Sequence, residues 1–384
     1  MREVAVIGIG QTKIDEHWDQ SLRDLAGEAV QAAMMDAQRE VADALYIGNM
    51  MSSTANHQQH LGAYIADWVG FKQIEAYRIE SACSSGAAAF RTGLMAVASG
   101  EIDCAVVVGV EKMTDSPGSE ITAALATAAD GDWEVDQGVS FVALNALIMK
   151  RYMHEYGWKH QDFAQFSINA HANARNNPFA RFHDPLTLES YEKGGMIADP
   201  INVFDASPIG DGAAAVVLVS AESIQAAARP KITVAGSGSA TDTIAAHDRR
   251  DPIWLNAAVR SVKNAYTQAG IGPAEIDLFE YHDAFTIMAA LSLEACGFYE
   301  RGQGPRAALD NEIGLNGRIP VATMGGLKAR GHPVGATGMY QIAEVVQQLR
   351  GEAGANQVVD AKYGMAQNIG GSGSNIVTHI LRRV

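Results

Sequence analysis

Runs of apolar residues alternate with amphipathic segments along the chain, and this pattern predicts alternating strands and helices. Residues 4–10 are a continuous apolar run typical of a strand, and residues 21–37 have helical periodicity that starts at a suitable N-cap, Ser21. A second apolar run follows at 44–47. The valine-rich run 102–110 is too short for a buried helix and predicts a strand with both faces buried. The alternation indicates an α/β fold.

Much of this order recurs in the second half of the chain. Residues 232–238 repeat the apolar, glycine-containing pattern of residues 4–10, and residues 256–269 have the periodicity of an amphipathic helix. A strand, a helix and closing strands are predicted to follow, at 277–280, at 335–349 and within 357–381. The two parts therefore resemble duplicated sets of strand–helix units.

The segment between about 114 and 205 differs from both repeats. His, Asn, Arg, Phe and Tyr are concentrated in residues 164–191, and the sheet pattern returns only at 211–218. We interpret the segment as a mostly helical insertion in the first repeat. The chain is accordingly divided into an N-terminal half, 1–225, which contains the insertion, and a C-terminal half, 230–384.

Composition and charge narrow the class of protein. With 384 residues, of which 47% are hydrophobic and 19% charged, the chain is predicted to form one large or two fused globular domains. A formal net charge of -15 argues against a surface for nucleic acid or anionic membranes, which needs clustered Lys and Arg. No apolar run approaches the ~18 residues of a membrane span, and the N-terminus leads straight into a predicted strand, so we expect a cytoplasmic protein.

The cysteines and glycines argue against several cofactors. The three cysteines are scattered and form no CxxC or Cys/His pattern, so neither a disulfide framework nor a zinc site is expected. Gly8 and Gly10 lack the third glycine of a dinucleotide fingerprint, because Lys13 stands at that position. We expect no metal and no nicotinamide cofactor.

Cys83 has the clearest reactive context of the three cysteines. It lies between an extended stretch and a predicted helix of very small residues, in Ser-Ala-Cys-Ser-Ser-Gly-Ala-Ala-Ala at 81–89. A helix N-terminus places unpaired N–H groups beside the sulfur and is expected to favour the thiolate. Cys104, in the valine-rich run, and Cys296, in an apolar helix, are interpreted as buried structural residues, which is also the competing interpretation for Cys83.

Two histidines and a glycine-rich turn carry the other candidate chemistry. His332 lies in Gly-His-Pro-Val-Gly-Ala-Thr-Gly, where glycines leave room for a substrate, and an imidazole has a pKa suited to proton transfer. His282 lies in Tyr-His-Asp-Ala-Phe after a predicted strand, a weak signal that is as often a helix cap. Residues 367–373, Gln-Asn-Ile-Gly-Gly-Ser-Gly, offer backbone N–H groups to an oxyanion or simply form a turn.

Taken in order, these four motifs resemble the four active-site loops of the thiolase superfamily, and Asp-Gly-Ala-Ala-Ala at 211–215 resembles the strand that returns from the thiolase insertion. The resemblance covers essentially the whole chain. It is strongest to the sterol-carrier-protein-type and archaeal-type thiolases, in which His-Asp replaces the Asn-Glu of other thiolases. It implies a thiolase fold, with two βαβαβαββ halves in a five-layered αβαβα core and a helical insertion.

The resemblance also implies roles for individual residues. Cys83 would be acylated and His332 would activate it, while His282 and His332 together would bind the thioester oxygen. The backbone N–H groups of Cys83 and Gly370 would form a second oxyanion hole, to which Asn368 is also assigned. Coenzyme A would be the substrate carrier, with no tightly bound cofactor.

One departure from the thiolase pattern affects the mechanism. Thiolases have a second cysteine, an acid/base for the incoming acyl-CoA, where this chain has Asn368 or, in sterol-carrier types, where it has Ala284. A Claisen condensation needs a base for the α-proton. Either His282 or His332 must therefore take this proton, or the overall reaction differs.

Three functions remain open on the sequence alone. The first is acyl transfer between coenzyme A thioesters through an acyl-cysteine, as in acetyl-CoA C-acetyltransferase or 3-ketoacyl-CoA thiolase. The second is transfer to a non-CoA carbon acceptor or a ketoacyl-synthase-like condensation, which the missing cysteine favours. The third is a non-catalytic scaffold with this fold inside a complex, against which the retention of one cysteine and two histidines argues.

Coenzyme A and protein partners are also expected from the resemblance. A coenzyme A phosphate needs basic side chains, and the insertion offers four candidates, Arg175, Arg181, His183 and Lys193. These side chains could instead form a solvated face or an oligomer contact. Thiolases are homodimers or homotetramers, and archaeal-type members are found with a small OB-fold, zinc-ribbon protein and sometimes with hydroxymethylglutaryl-CoA synthase.

Overall fold

The computed structural model describes residues 2–224 and 229–384, which contain eleven strands and twelve α-helices. The strands are β1 Val4–Gln11, β2 Ala44–Gly48, β3 Glu75–Ile79, β4 Cys104–Glu111, β5 Met196–Ala198, β6 Ile201–Asn202, β7 Gly212–Ser220, β8 Ile232–Thr241, β9 Leu278–Glu280, β10 Tyr363–Gly370 and β11 Asn375–Arg383. The helices are α1 Leu22–Asp36, α2 Ser52–Ala55, α3 Leu61–Trp68, α4 Ser85–Ser99, α5 Gly118–Ala126, α6 Phe141–Tyr156, α7 Ala164–Ala174, α8 Leu188–Glu192, α9 Asn256–Ala269, α10 Thr286–Ala295, α11 Gly304–Leu309 and α12 Thr337–Arg350.

The predicted elements form close to their expected positions. Ser21 caps α1, since its hydroxyl accepts from the Asp24 N–H while the Asp24 carboxylate accepts from the Ser21 N–H, a reciprocal capping box. Helix α9 has the predicted bounds. The helix predicted from residue 335 begins later, at Thr337, because Val334–Ala336 forms a tighter 3₁₀ turn first.

Nine strands form one sheet in the order β3-β2-β4-β7-β1-β8-β11-β10-β9. The first five belong to the first repeat and the last four to the second, and their order is mirrored about the junction. Strands β1 and β8 meet there through a short antiparallel pairing of Ala5 with Thr233 and Val6 with Ile232. Each repeat therefore presents the same arrangement of strand ends to the middle of the molecule.

The second repeat lacks a regular counterpart of β3. Val321 makes an isolated parallel bridge to Phe279 of β9, at the position where β3 pairs with β2 in the first repeat. The next residue, Ala322, has a φ of 47°, so the chain leaves the extended conformation directly after the bridge. This half therefore has four strands and a single bridge where a fifth strand was predicted.

Three layers of helices alternate with the five-stranded and four-stranded parts of the sheet, which gives five layers, and three hydrophobic clusters fill the spaces between them. Helices α1 and α3 cover one outer face, α4 and α12 fill the middle layer, and α9 and α10 cover the other outer face. Val106 of β4 contacts the outer cluster while Val107 contacts the middle one, and both are fully buried. The prediction that this strand is buried on both faces is confirmed.

Between β4 and β7 the chain forms helices α5–α8 and the small β5–β6 hairpin. Tyr152 of α6 and Phe163, before α7, join the hydrophobic cluster that contains Phe279 and Ile287 of the second repeat. The segment thereby packs across the C-terminal part of the chain, beside the motifs at 281–285 and 331–338. Within the described residues, every helix is too short or too polar to cross a membrane.

Candidate active site

Cys83 lies in a tight turn between β3 and α4. Ala82 has a φ of 49°, and the Ser85 hydroxyl donates to the Ala82 carbonyl at 2.6 Å and accepts from the Ser81 N–H at 2.9 Å. These bonds hold the chain in a sharp bend just before the helix begins. The bend places the cysteine at the helix N-terminus, as the sequence predicts.

The environment of the sulfur differs from the expected one. Burial, together with the negative charge of Glu111, raises the pKa of the Cys83 thiol to about 12, although N–H groups of Gly371 and of Cys83 itself point at the sulfur and act in the opposite direction. The expectation that the helix N-terminus favours a free thiolate is therefore wrong here. A thiol in this environment needs a base that removes its proton during the reaction.

His332 is held by both its backbone and its ring. Its N–H donates to the Pro208 carbonyl at 3.1 Å, and its Nδ1 lies 2.6 Å from the Thr337 hydroxyl at the start of α12. Burial lowers the pKa of His332 well below the usual range, and nearby His282, Arg330 and Lys328 lower it further. The imidazole is therefore neutral and able to accept a proton.

His282 follows β9 and lies edge-on against His332. The two ring centroids are 5.1 Å apart and the ring planes meet at 85°. The Asn368 side-chain amide, on β10, donates from Nδ2 to His282 Nδ1 at 2.8 Å. Burial and the charge of Arg330 lower the pKa of His282 to about 3, so this imidazole is neutral as well.

The four motifs meet in one region although they are far apart in sequence. Cys83 packs against the cluster that contains Val334, two residues beyond His332. A Cβ at Gly370 would lie 2.7 Å from the Ser81 carbonyl oxygen, so only glycine allows this loop to approach the cysteine turn so closely. Gly371, one residue beyond the predicted Gly370, directs its N–H at the sulfur.

A buried carboxylate that the sequence analysis missed ties these loops together. Glu111, the last residue of β4, accepts hydrogen bonds from the Asn49 side chain, the backbone N–H groups of Met50 and Met51, and the Gly335 N–H in the His332 loop, at 2.6–2.9 Å. Burial raises the pKa of Glu111 to about 7 despite these donors. Its sequence signal is a lone acidic residue that ends a buried valine strand.

A second buried group of charges lies behind the histidines. Arg330 and Glu344 form a fully buried ion pair at 2.6 Å. The Asp283 carboxylate, next to His282 in sequence, accepts from the Leu327 N–H at 2.8 Å. Asp283 therefore holds the turn over 326–330 that leads to His332, and Arg330 supplies positive charge that keeps both imidazoles neutral.

The four predicted coenzyme A contacts differ in exposure and in their ion pairs. Arg175 and His183 are exposed, whereas Arg181 pairs with Glu16 at 2.5 Å and Lys193 pairs with Glu189, one helical turn away, at 2.5 Å. The backbone N–H of Arg181 donates to the Arg330 carbonyl at 2.9 Å, which places this residue beside the histidine loop. Across 2–224 and 229–384, no cluster of three His, Cys, Asp or Glu side chains is arranged to hold a metal ion.

Comparison with known proteins agrees with the fold and the motifs. The family model "Thiolase, N-terminal domain" matches residues 4–222, and "Thiolase C-terminal domain-like" matches 238–383. An acetyl-CoA acetyltransferase of Methanothermobacter thermautotrophicus is 48% identical over 100% of both chains, and sterol carrier protein 2 of Rattus norvegicus is 28% identical over 98% of this chain and 71% of its own length.

Among solved structures, an "Ltp2-ChsH2(DUF35) aldolase" superposes with a TM-score of 0.86 at 25% identity and covers 99% of this chain and 98% of that chain. The predicted resemblance to sterol-carrier-protein-type and archaeal-type thiolases is thus confirmed. The chain belongs to the thiolase family, and it is an acyltransferase enzyme.

Proposed function

We propose that this thiolase transfers acyl groups between coenzyme A thioesters through an acyl-Cys83 intermediate, as an acetyl-CoA C-acetyltransferase or 3-ketoacyl-CoA thiolase. The observation that carries the proposal is the edge-on contact of two neutral imidazoles beside the loop that bears the cysteine. The 48% identical relative that is named acetyl-CoA acetyltransferase supports acetyl-CoA as the substrate.

In the first half-reaction, Cys83 attacks the thioester carbonyl and His332 removes the thiol proton. A thiol with a pKa near 12 does not ionise by itself at neutral pH, so the proton must move to the imidazole as the sulfur attacks. The backbone N–H groups of Cys83 and Gly370 stabilise the oxyanion. The loss of one such donor typically costs about 2.7–4 kcal/mol of barrier.

In the second half-reaction, a second acyl-CoA must lose an α-proton and attack the acyl-cysteine. His282 binds its thioester oxygen, and His332 and Asn368 lie beside it. No thiol is present at Ala284 or Asn368, so the acid/base of other thiolases has to be replaced by a different group in this chain.

Coenzyme A is proposed to lie against the insertion, where its phosphates meet basic side chains. The candidates are Arg175, Arg181, His183 and Lys193. Arg181 and Lys193 are each paired with a glutamate, so a phosphate would have to compete with those carboxylates. Arg175 and His183 are exposed and reach a phosphate without that competition.

We also propose an assembly of at least two chains, a homodimer or homotetramer. Strand β3 is a sheet edge with Tyr77 58% exposed, and an unpaired edge is a template for a second strand. A small OB-fold, zinc-ribbon partner is proposed as well, because the name of the similar structure, "Ltp2-ChsH2(DUF35) aldolase", lists a second component beside the first. The proposed division is an N-terminal half, 1–225, with an insertion over about 114–205, and a C-terminal half, 230–384.

A second candidate function is acyl transfer to a non-CoA carbon acceptor or a ketoacyl-synthase-like condensation. The observation that favours it is the absence of the second cysteine at Ala284 and Asn368. A scaffold without catalysis is the weakest candidate, because a scaffold gains nothing from two buried neutral histidines beside a cysteine.

The first experiment measures coenzyme A-dependent cleavage of acetoacetyl-CoA by the full chain. We expect turnover in the native protein and in Cys104→Ala, which alters a cysteine at the far end of β4, and none above background in Cys83→Ala. An active Cys83→Ala protein would overturn the acyl-cysteine mechanism. Acylation by acetyl-CoA without any cleavage would favour the second candidate function.

A further inference from the structure

The two active-site imidazoles make different hydrogen bonds through the same ring atom. His282 Nδ1 lies 2.8 Å from the side-chain amide of Asn368, whereas His332 Nδ1 lies 2.6 Å from the Thr337 hydroxyl. A neutral imidazole carries one proton, and the partner of Nδ1 decides which nitrogen carries it. The two partners therefore determine what each free Nε2 can do.

Asn368 makes His282 a hydrogen-bond donor. Its amide Nδ2 carries two protons and no lone pair for a hydrogen bond, so it donates to His282 Nδ1. Nδ1 must then be the bare nitrogen, and the proton of the neutral ring resides on Nε2. Because burial and Arg330 keep this imidazole neutral, His282 presents an N–H and no acceptor to the pocket.

Thr337 gives His332 the opposite tautomer, with the proton on Nδ1. The Thr337 hydroxyl has a single proton, which it donates to the Pro333 carbonyl at 3.2 Å, one turn back along the chain. The hydroxyl oxygen then accepts from His332 Nδ1–H. His332 Nε2 is left with a lone pair and is the ring nitrogen that can accept a proton from a substrate.

From this geometry we infer that Asn368 is a positioning residue that fixes His282 as an oxyanion donor, and that His332 alone is the base for both half-reactions. The inference rests on the proposed function and extends it to the step for which the chain has no second cysteine. The other side of the amide packs closely against Gly338 at the start of α12, where a Cβ would lie only 2.4 Å from Asn368 Oδ1.

The condensation step balances without any further reactant. His332 Nε2 takes the α-proton of the second acyl-CoA and becomes an imidazolium, while the enolate oxygen accepts a hydrogen bond from His282 Nε2–H. The enolate carbon bonds to the acyl carbonyl carbon, the bond from that carbon to the Cys83 sulfur breaks, and the leaving thiolate recovers the proton from His332. The products are the 3-ketoacyl-CoA and the free thiol.

Two variants at residue 368 separate this role from simple packing. In Asn368→Asp the carboxylate accepts from His282 Nδ1–H, so the neutral ring loses its Nε2–H and only the imidazolium keeps it. In Asn368→Leu the new side chain has a similar volume but makes no hydrogen bond, so nothing determines which nitrogen of His282 carries the proton. Gln367→Met is the matched control, because Gln367 is the adjacent buried amide on β10 but points to Cys296 and Thr378 instead of the histidines.

The readout is deuterium incorporation into acetyl-CoA in D₂O, measured from low to high pH, beside the rate at which the enzyme itself becomes acetylated. We expect all three variants to be acetylated within about threefold of the native rate. Asn368→Asp should lose α-proton exchange increasingly as pH rises, to about 10²-fold above the pKa of the new pair, as when one oxyanion donor is removed. Asn368→Leu should show a smaller loss that does not change with pH, and Gln367→Met should match the native enzyme.

Equal losses at every pH in the two residue-368 variants, or a loss in Gln367→Met as large as in Asn368→Leu, would overturn the inference. If Asn368→Asp does not fold, Asn368→Leu must still reduce exchange while it leaves acetylation unchanged, and a failure of either condition also overturns it. Failure of the native protein to become acetylated at all would instead count against the proposed function.

Discussion

The two halves place polar residues at equivalent points of the same topology but use them differently. In the N-terminal half, Asn49 follows β2 and Glu111 ends β4. In the C-terminal half, His282 follows β9, the counterpart of β2, and Asn368 lies near the end of β10, the counterpart of β4. Both pairs are buried, and within each pair the two side chains are hydrogen-bonded to one another.

The two clusters differ in how many of their polar atoms are left without a hydrogen-bond partner. Both Glu111 oxygens accept two donors each, from Asn49, Met50, Met51 and Gly335, so the N-terminal cluster is saturated. In the C-terminal cluster only the Nδ1 atoms of the two histidines have hydrogen-bond partners among residues 2–224 and 229–384, so both Nε2 atoms are free within that part of the chain. A saturated cluster holds loops in place, whereas an unsaturated one is available to a substrate.

The largest effect should come from removing the base in the C-terminal cluster. In His332→Asn we expect both enzyme acetylation and acetoacetyl-CoA cleavage to fall by about 10⁴-fold, since the thiol and the α-carbon both lose their proton acceptor. His379→Gln is the control, because His379 is also buried but its Nε2 lies 3.1 Å from the Ala87 carbonyl oxygen in α4. Steady-state kinetics would contradict the comparison if the two variants lost equal activity.

Removal of the charge in the N-terminal cluster should mainly affect stability. In Glu111→Gln an NH₂ group faces backbone N–H donors that lose their acceptor, so we expect the free energy of unfolding to fall by about 1–3 kcal/mol, the cost of a buried donor without a partner. Asn368→Leu should change it by less than about 1 kcal/mol, the net value of a neutral hydrogen bond. Urea unfolding at pH 8 measures the loss of stability in both variants. A larger loss in Asn368→Leu than in Glu111→Gln would contradict the distinction between the two clusters.

The clusters should also respond to pH in opposite directions. The pKa of His282 is lowered from 6.5 to about 3, so between these pH values the unfolded chain binds a proton that the folded chain does not bind. The free energy of unfolding therefore decreases as pH falls from 6.5 towards 3. Glu111 has its pKa raised from 4.5 to about 7, so its contribution is lost as pH rises from 4.5 towards 7. Each full proton changes the slope by about 1.4 kcal/mol per pH unit.

Unfolding curves between pH 4.5 and 7 can separate these two titrations. We expect His282→Asn to lose less stability on acidification than the native protein, and Glu111→Gln to lose less on alkalinisation. Variants with the pH slope of the native protein would show that these groups do not titrate as their burial implies.

The smallest effect concerns the helices that start each half. Helix α1 has the Ser21–Asp24 capping box, while its counterpart α9 follows Leu255 with no side-chain cap. We expect Ser21→Ala to lower the unfolding free energy by about 1 kcal/mol, the usual value of an N-cap, without a change in activity. Thermal unfolding beside an activity assay tests this, and a loss of activity would mean that the cap also supports the site.

Local patterns in the sequence predict much of the fold and the key side chains. The capping box at Ser21, the bounds of α9 and the buried valine strand follow from short-range preferences and periodicity, which the structure obeys. Cys83, His282 and His332 were identified from motif order, because the duplicated topology brings equivalent strand ends together.

What the sequence does not reveal depends on contacts between distant segments. Glu111 bonds to Gly335, 224 positions away, and no local pattern records that contact. The raised pKa of Cys83 has the same origin, since it comes from burial and from Glu111 rather than from the helix start. The bridge between Val321 and Phe279 likewise joins distant segments, and it ends where Ala322 adopts a positive φ.

The most direct test of the whole account is to mix the native protein with acetyl-CoA and locate the acetyl group by intact-mass and peptide mass spectrometry. We predict one acetyl group per chain on the peptide that contains Cys83, and greatly slowed labelling in His332→Asn. An acetyl group on Cys104 or Cys296, or rapid labelling without His332, would contradict the claim that the fold assembles one sulfur and its base from opposite halves of the chain.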